Sequence, residues 1–464
     1  MLFNSYIFLF AFLPVAYVVF WQLRTTHQRH VWLTITGYVF YSYWDARFCL
    51  LMAFSTVVSY CAGLAMLRAT TPRARKLAMV IPITADLLLL GFFKYADFTL
   101  QSAVGIAHLL GADVNIPTLD IILPIGISFY TFHTISYIVD CYRGTIRPTR
   151  SFWEFSAYVS LFSQLVAGPI VRFRQIEADL EGLGAAHRTR WLALGTSFFM
   201  FGLIEKVVIA DSLAHYVDEA LGRYEGLSSA GAWTAMLGYT FQLLFDFSGY
   251  SSMAVGLGLL FGLRIPQNFN SPYKSLNPSD FWQRWHISLS SCLRDYLYIP
   301  LGGNRGGKWF TYRNLMLTML IGGLWHGANW TFVVWGAYHG ALLIAYQANR
   351  EHWDRVPPLL AQGVMFLAAL LGWVFFRSHT FEMASTLLGK MFTPTAGAMS
   401  SDPTTFVIFI VIAAALSMRG PNAFDFHKEF KLTWWRGAGM ATAFGVALAL
   451  IAGGRESPFL YFQF

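Results

Sequence analysis

Apolar runs of about twenty residues recur along this chain from one end to the other. No other feature limits the fold so sharply. Inside a bilayer every backbone N–H and C=O must be satisfied within the chain, which leaves helices and closed barrels. The runs are too long and too continuous for alternating barrel strands, so an all-α polytopic membrane protein is expected. Charged residues are only 12% of the chain, against about 25% in ordinary soluble domains. Mean hydropathy is +0.47. Counting the runs gives roughly eleven transmembrane helices, plus re-entrant or interfacial pieces, in a single membrane domain spanning 1–464.

The net charge of +8 sits mostly in loops between apolar runs. There it reads as a topology signal and as contact with anionic lipid, not as a nucleic-acid surface. Cys49, Cys61, Cys141 and Cys292 are scattered and form no CxxC pair, so they read as small apolar residues. The opening MLFNSYIFLFAFLPVAYVVFWQL lacks a basic leader and is read as a first span, Leu2–Leu23.

Further spans are expected at Val31–Trp44 and Phe48–Leu67, broken at Asp45–Arg47. Leu77–Leu90 follows, kinked at Pro82, and Leu100–Asp120 is expected to be an external loop with an interfacial helix. Ile121–Val139 carries a polar side that includes His133, expected to bond between helices. Trp191–Ala210 contains Glu205 and Lys206, and Gly231–Phe261 contains Asp246. Neighbouring residues on a helix do not face each other, so Glu205 and Lys206 each need a partner elsewhere. Asp246 is expected to pair with Arg264 or another cation.

Leu263–Arg313 differs from everything around it. Arg264, Lys274, Arg284, Arg294, Arg305, Lys308 and Arg313 face only Asp280 and Asp295, with Pro266, Pro272, Pro278 and Pro300 interspersed. The stretch is too polar to span and too aromatic for a plain loop. It is expected at the cytoplasmic interface or re-entering the bilayer beside a cavity. Within FWQRWHISLSSCLRDYLYIP, His286 lies among Trp282, Arg284, Trp285, Arg294 and Tyr298. These cations can attract a phosphorylated cofactor while the aromatics line an acyl slot. Arginines snorkelling to headgroups from an amphipathic helix explain the same pattern.

Ile321–Gly340, IGGLWHGANWTFVVWGAYHG, places His326 and Asn329 in an otherwise apolar run with Trp325 and Trp330 beside them. Helical spacing would put the imidazole and the amide on one face. An intramembrane histidine needs a partner, a hydrated cavity or a chemical task. A lone one is explained as well by packing between helices. No HExxH or carboxylate ladder suggests a metal, no GxSxG elbow suggests a serine hydrolase, and no nucleotide-binding loop is present.

Read together, FNSYIFLF, LPIGISFYTFHTISYIVDCYR, QLVAGPIVRF, NFNSPYKSLNPSDFWQRWHISLSSCLRDYLYIPLGGNR, GGLWHGANWTFVVWGAYHG and the final SPFLYFQF resemble the membrane-bound O-acyltransferase family over nearly the whole chain. The resemblance implies a ring of helices around a central tunnel, with a catalytic core over about 121–346. It implies that His326 is the essential histidine and His286 the second functional one. Arg284, Arg294, Tyr298, Trp325 and Asn329 would then hold the donor, with no metal. It implies acyl transfer from a cytoplasmic thioester, acetyl-CoA or a similar donor, at a bacterial inner membrane. The acyl group would pass to an extracytoplasmic SGNH-type partner that esterifies an alginate-like exopolysaccharide. One departure is visible: the family pattern Ser-Gly-Tyr-Ser-Asp-Met here reads Ser-Gly-Tyr-Ser251-Ser252-Met253, without the carboxylate. Two other readings stand beside this one. A D-alanyl transferase would take its acyl group from a carrier protein. A transporter or channel would use the two histidines as a proton relay, although no inverted repeat is visible.

Overall fold

The computed structural model describes residues 1–114, 116–165, 168–184, 188–428, 433–454 and 459–460. Among them the secondary structure is helical, with one isolated bridge between Leu227 and Ala398. Six helical stretches are long and apolar enough to cross a membrane: Ala46–Arg68, Pro72–Leu109, Trp191–Leu221, Ser229–Leu260, Pro358–Arg377 and Trp434–Ala452. Phe8–Gln22 and Pro403–Arg419 are apolar but shorter. Val166, Ala167 and most of the terminal SPFLYFQF lie outside the described residues. The chain divides into two compact units.

The first unit is built mainly from Tyr6–Arg188. Thr25 caps the Thr26–Ser42 helix through a capping box with Gln28, which fixes where that helix leaves the basic loop. Of Leu100–Asp120, expected as an external loop with an interfacial helix, the part up to Leu109 continues the preceding helix and the described residues from Leu110 on are non-helical. Pro72–Leu109 is one helix of 38 residues, with Thr71 as its cap and Pro82 inside it. Such a helix is about 57 Å long, so it reaches beyond the hydrocarbon layer, and its last turns explain the weak polarity of that stretch. Asp86, on this helix, is buried and accepts a 2.7 Å hydrogen bond from Thr134 of the Ile127–Arg143 helix. His133, on the same helix, does not bridge as expected. Its ring nitrogens have no hydrogen-bond partner among the described residues, and it packs against Tyr158 at 5.5 Å. Arg264 pairs within this unit with Asp179, not with Asp246.

The second unit is organised around Ser229–Leu260, which is almost wholly buried. The Trp191–Leu221 stretch lies against it with glycine facing glycine. A Cβ on Gly249 would stand 2.7 Å from the Gly202 carbonyl, and one on Gly256 only 2.5 Å from the Phe199 nitrogen. Small residues permit this approach, which is how apolar helices associate when no hydrophobic force separates them from lipid. The same contact buries Lys206, whose ammonium lies 2.6 Å from Asp211 and 2.7 Å from Asp246. Thus the partner of Asp246 is Lys206. Asp246 also accepts the Leu460 backbone N–H at 2.9 Å, so its carboxylate is shared between an ion pair and the chain's final described residues.

Candidate active site

Ile321–Gly340 does not form one helix. The Lys308–His326 helix stops at His326, the extended Gly327 breaks it, and Asn329 caps the next helix, Trp330–Ala348. His326 therefore stands at the turn of a tight antiparallel hairpin, at the opposite end from Arg305, Lys308 and Arg313. Glycines set the closeness of the two arms. A Cβ on Gly323 would meet the Phe332 carbonyl at 2.3 Å, and one on Gly336 the Met319 carbonyl at 2.4 Å. Gly327 is required in another sense, since a Cβ there would stand 2.2 Å from the Phe332 ring.

The break overturns the shared helical face of His326 and Asn329. Asn329 Oδ1 accepts from the Thr331 N–H at 3.0 Å, and Nδ2 donates to the His379 carbonyl at 2.9 Å. Both ends of the amide hold the turn. His326 itself is 4% exposed. Its ring is enclosed by Trp325 at 4.9 Å, Trp335 at 5.0 Å and Phe376 at 5.3 Å. Trp330 is half exposed.

A cavity of about 360 Å³ reaches His326. Leu315, Thr318, Met319, Gly322 and His326 line it in turn along one face of a single helix. The rise per residue makes that face about 16 Å long. The facing wall carries Gln283, Ser290, Ser291, Arg294 and Tyr298, with Trp282 and Trp335. Polar groups thus accompany the slot along its length, and His326 lines it at the end of the helix, among aromatic rings.

Of the residues singled out from sequence, Trp282, Arg294 and Tyr298 line this slot together with His326. Arg294 is paired with Asp295 at 2.7 Å, and Tyr298 donates to Asn304. Arg284 does not line it; it pairs with Asp280 at 2.6 Å and braces its own short helix. Trp325 stands between the two histidines, 6.0 Å from His286 and 4.9 Å from His326 by ring centroids.

His286 is fully buried and adopts the left-handed conformation, φ 43°, at the start of the Ile287–Leu293 helix. A non-glycine residue holds that conformation only when its surroundings over-determine it. Here Asn268 does so. Its backbone carbonyl accepts from the Ile287 N–H at 2.9 Å. Its Oδ1 accepts from Ser288 N–H at 3.1 Å, from Ser288 Oγ–H at 2.8 Å and from His286 Nδ1 at 3.2 Å. Donation from Nδ1 makes Nε2 the basic nitrogen of this imidazole. His286 sits one ring behind the slot, separated from His326 by Trp325. Asn268, Gln283, Ser290 and Ser291 went unmarked as site residues. The SLSS run next to His286 carried a signal for the serines; Asn268, in an irregular loop, had none.

The sequence pattern of the MBOAT, membrane-bound O-acyltransferase family, matches residues 146–379. The chain is 45% identical over 400 residues to a probable alginate O-acetylase of Azotobacter vinelandii, covering 85% of this chain and 78% of that protein. It is 38% identical to a protein of the same description from Pseudomonas putida, over the full length of both. A peptidoglycan O-acetyltransferase of Helicobacter pylori is 34% identical over all of this chain and 98% of its own.

Proposed function

We propose, for a chain that belongs to the membrane-bound O-acyltransferase family, that it transfers an acetyl group from a cytoplasmic thioester to a polysaccharide outside the cell, with His326 as the general base. The chain is a multi-pass membrane O-acyltransferase, so the histidine-relay transporter reading is set aside. The observation that carries the finer reading is the slot along Leu315–His326, which ends on a caged imidazole.

The helix that lines the slot begins at Lys308 and carries Arg313 in its second turn, after Arg305, and positive loops favour the cytoplasmic side. A donor such as acetyl-CoA would enter there, with its phosphates among the basic side chains and its thioester arm extended along the helix face. A charged carrier cannot cross the bilayer, since each buried charge costs several kilocalories per mole. The acceptor hydroxyl must therefore reach His326 from the turn side of the hairpin. His326 takes the hydroxyl proton as the oxygen attacks the thioester carbonyl. The carbon–sulfur bond then breaks, and the thiol leaves with a proton. The aromatic cage keeps water from competing with the acceptor. His286, fixed by Asn268, acts through Trp325 to hold the orientation of His326, which makes it a positioning residue.

Relatives named for alginate and for peptidoglycan support a glycan acceptor. In this reading the chain sits in a bacterial inner membrane and hands the acetyl group to an SGNH-type extracytoplasmic partner. The test is reconstitution of the purified protein with acetyl-CoA labelled in the acetyl group, with the partner and its polymer supplied on the other side. Label in polymer ester supports the reading. No transfer from acetyl-CoA, with transfer from a parallel reaction given a carrier protein loaded with labelled D-alanine, would replace it with the D-alanyl transferase.

A further inference from the structure

A second cavity of about 230 Å³ lies in the same unit as the slot and shares no lining residue with it. It runs from Gly420–Phe424 and Ser271-Pro272 inward to Glu205 and Ser248. Its chemistry is one-sided. Glu205 contributes a carboxyl, and Ser248, Ser251 and Ser252 add hydroxyl oxygens, while the described lining includes no Lys, Arg or His. Lys206, the cation next in sequence, is held by Asp211 and Asp246. Ser252 donates to Glu205 at 3.5 Å, which leaves most of the carboxyl's accepting capacity toward the cavity. Ser248 is 9% exposed, lines the cavity, and sets its hydroxyl beside the Glu205 carboxyl. Phe201, Phe245, Phe269 and Phe424 stand among the aliphatic residues that line the rest of it.

A carboxyl on the wall of a largely apolar cavity, with accepting capacity left over, asks for a donor. Aromatic faces beside them favour a cation over a neutral group. The volume exceeds that of a single bare ion several-fold, at about 30 Å³ per water. We propose that this cavity binds a primary ammonium group, with N–H donated to Glu205 and Ser248 and the phenyl faces around its carbon chain. The ammonium can come from an aminophospholipid headgroup or from a free small amine. The site is independent of the donor slot, but its wall residue Asn268 donates to Ser251 at 3.1 Å and holds His286 with its other end. Occupancy would therefore stiffen the support of the histidine pair.

The test uses the purified full chain and follows its thermal unfolding. In detergent micelles, ethanolamine at millimolar concentration should raise the midpoint by about 2 °C over sodium chloride and glycerol controls. In nanodiscs, phosphatidylethanolamine should do the same relative to phosphatidylglycerol. Stabilisation by the lipid alone assigns the ammonium to the headgroup, and stabilisation by ethanolamine in micelles assigns it to a free amine. Either shift should vanish in Glu205→Gln. Should that variant fail to fold, Ser248→Ala, which removes a single oxygen, should roughly halve it. No shift from either amine, an equal shift from glycerol or sodium, or a shift that survives both substitutions would overturn the proposal.

Discussion

At the scale of single residues, the proposal gives the two histidines different work. His326 is a slot residue and His286 a buried one that reaches it through Trp325. His326→Ala should lower acyl transfer by about 10²- to 10⁴-fold, the usual contribution of a general base. The protein should remain folded, because the ring already borders a cavity. Asn268→Ala leaves His286 Nδ1 without its acceptor and releases the left-handed backbone. It should lower turnover by about tenfold or more while leaving the KM for the donor unchanged, and Asn268→Asp, which keeps an acceptor, should recover part of it. Steady-state kinetics with varied thioester check both; a changed KM with normal turnover in Asn268→Ala would place Asn268 in donor binding. His326 was legible from sequence because an imidazole among tryptophans and glycines in an apolar run is chemically out of place. Asn268 was not, because its importance comes from three bonds to residues about twenty positions on, which no local pattern encodes.

At the scale of elements, glycine spacing and buried charge decide the packing. Gly336→Leu would drive a side chain into the Met319 carbonyl and splay the hairpin that carries His326. It should abolish activity and lower the unfolding midpoint, measured by thermal scan in detergent. Lys206→Met would leave Asp211 and Asp246 facing each other without their cation. A cost of about 3–5 kcal/mol is expected from breaking a buried ion pair. The triple change Lys206→Met, Asp211→Asn, Asp246→Asn should recover much of it, which urea unfolding would show. Sequence placed most helices within a few residues, since apolar runs bounded by basic turns leave little choice. It missed the continuity of Pro72–Leu109, where Lys94 and Asp97 look like the edge of a loop. It also read Ile321–Gly340 as unbroken, because the Gly327–Asn329 turn is short enough for apolar residues to flank it on both sides.

At the scale of the whole molecule, the reading rests on a division of access. The donor approaches along the face of Lys308–His326, and the acceptor approaches the turn at its far end. A cysteine at Lys308 should react with an impermeant thiol reagent only after the cytoplasmic face is opened. Labelling in intact cells would invert the topology and the direction of transfer. Apolar runs, basic loops and family motifs made this plan legible in outline. The slot itself was not legible, because its two walls come from helices whose register is set by packing. The most direct measurement is single-turnover transfer of labelled acetyl from thioester to acceptor by the purified protein, comparing wild type, His326→Ala and Thr318→Trp. Thr318 lines the slot partway to His326. The account requires Thr318→Trp to lose donor binding and His326→Ala to keep it while losing transfer. Transfer at the wild-type rate in His326→Ala, or undisturbed donor binding with the slot plugged, would contradict it.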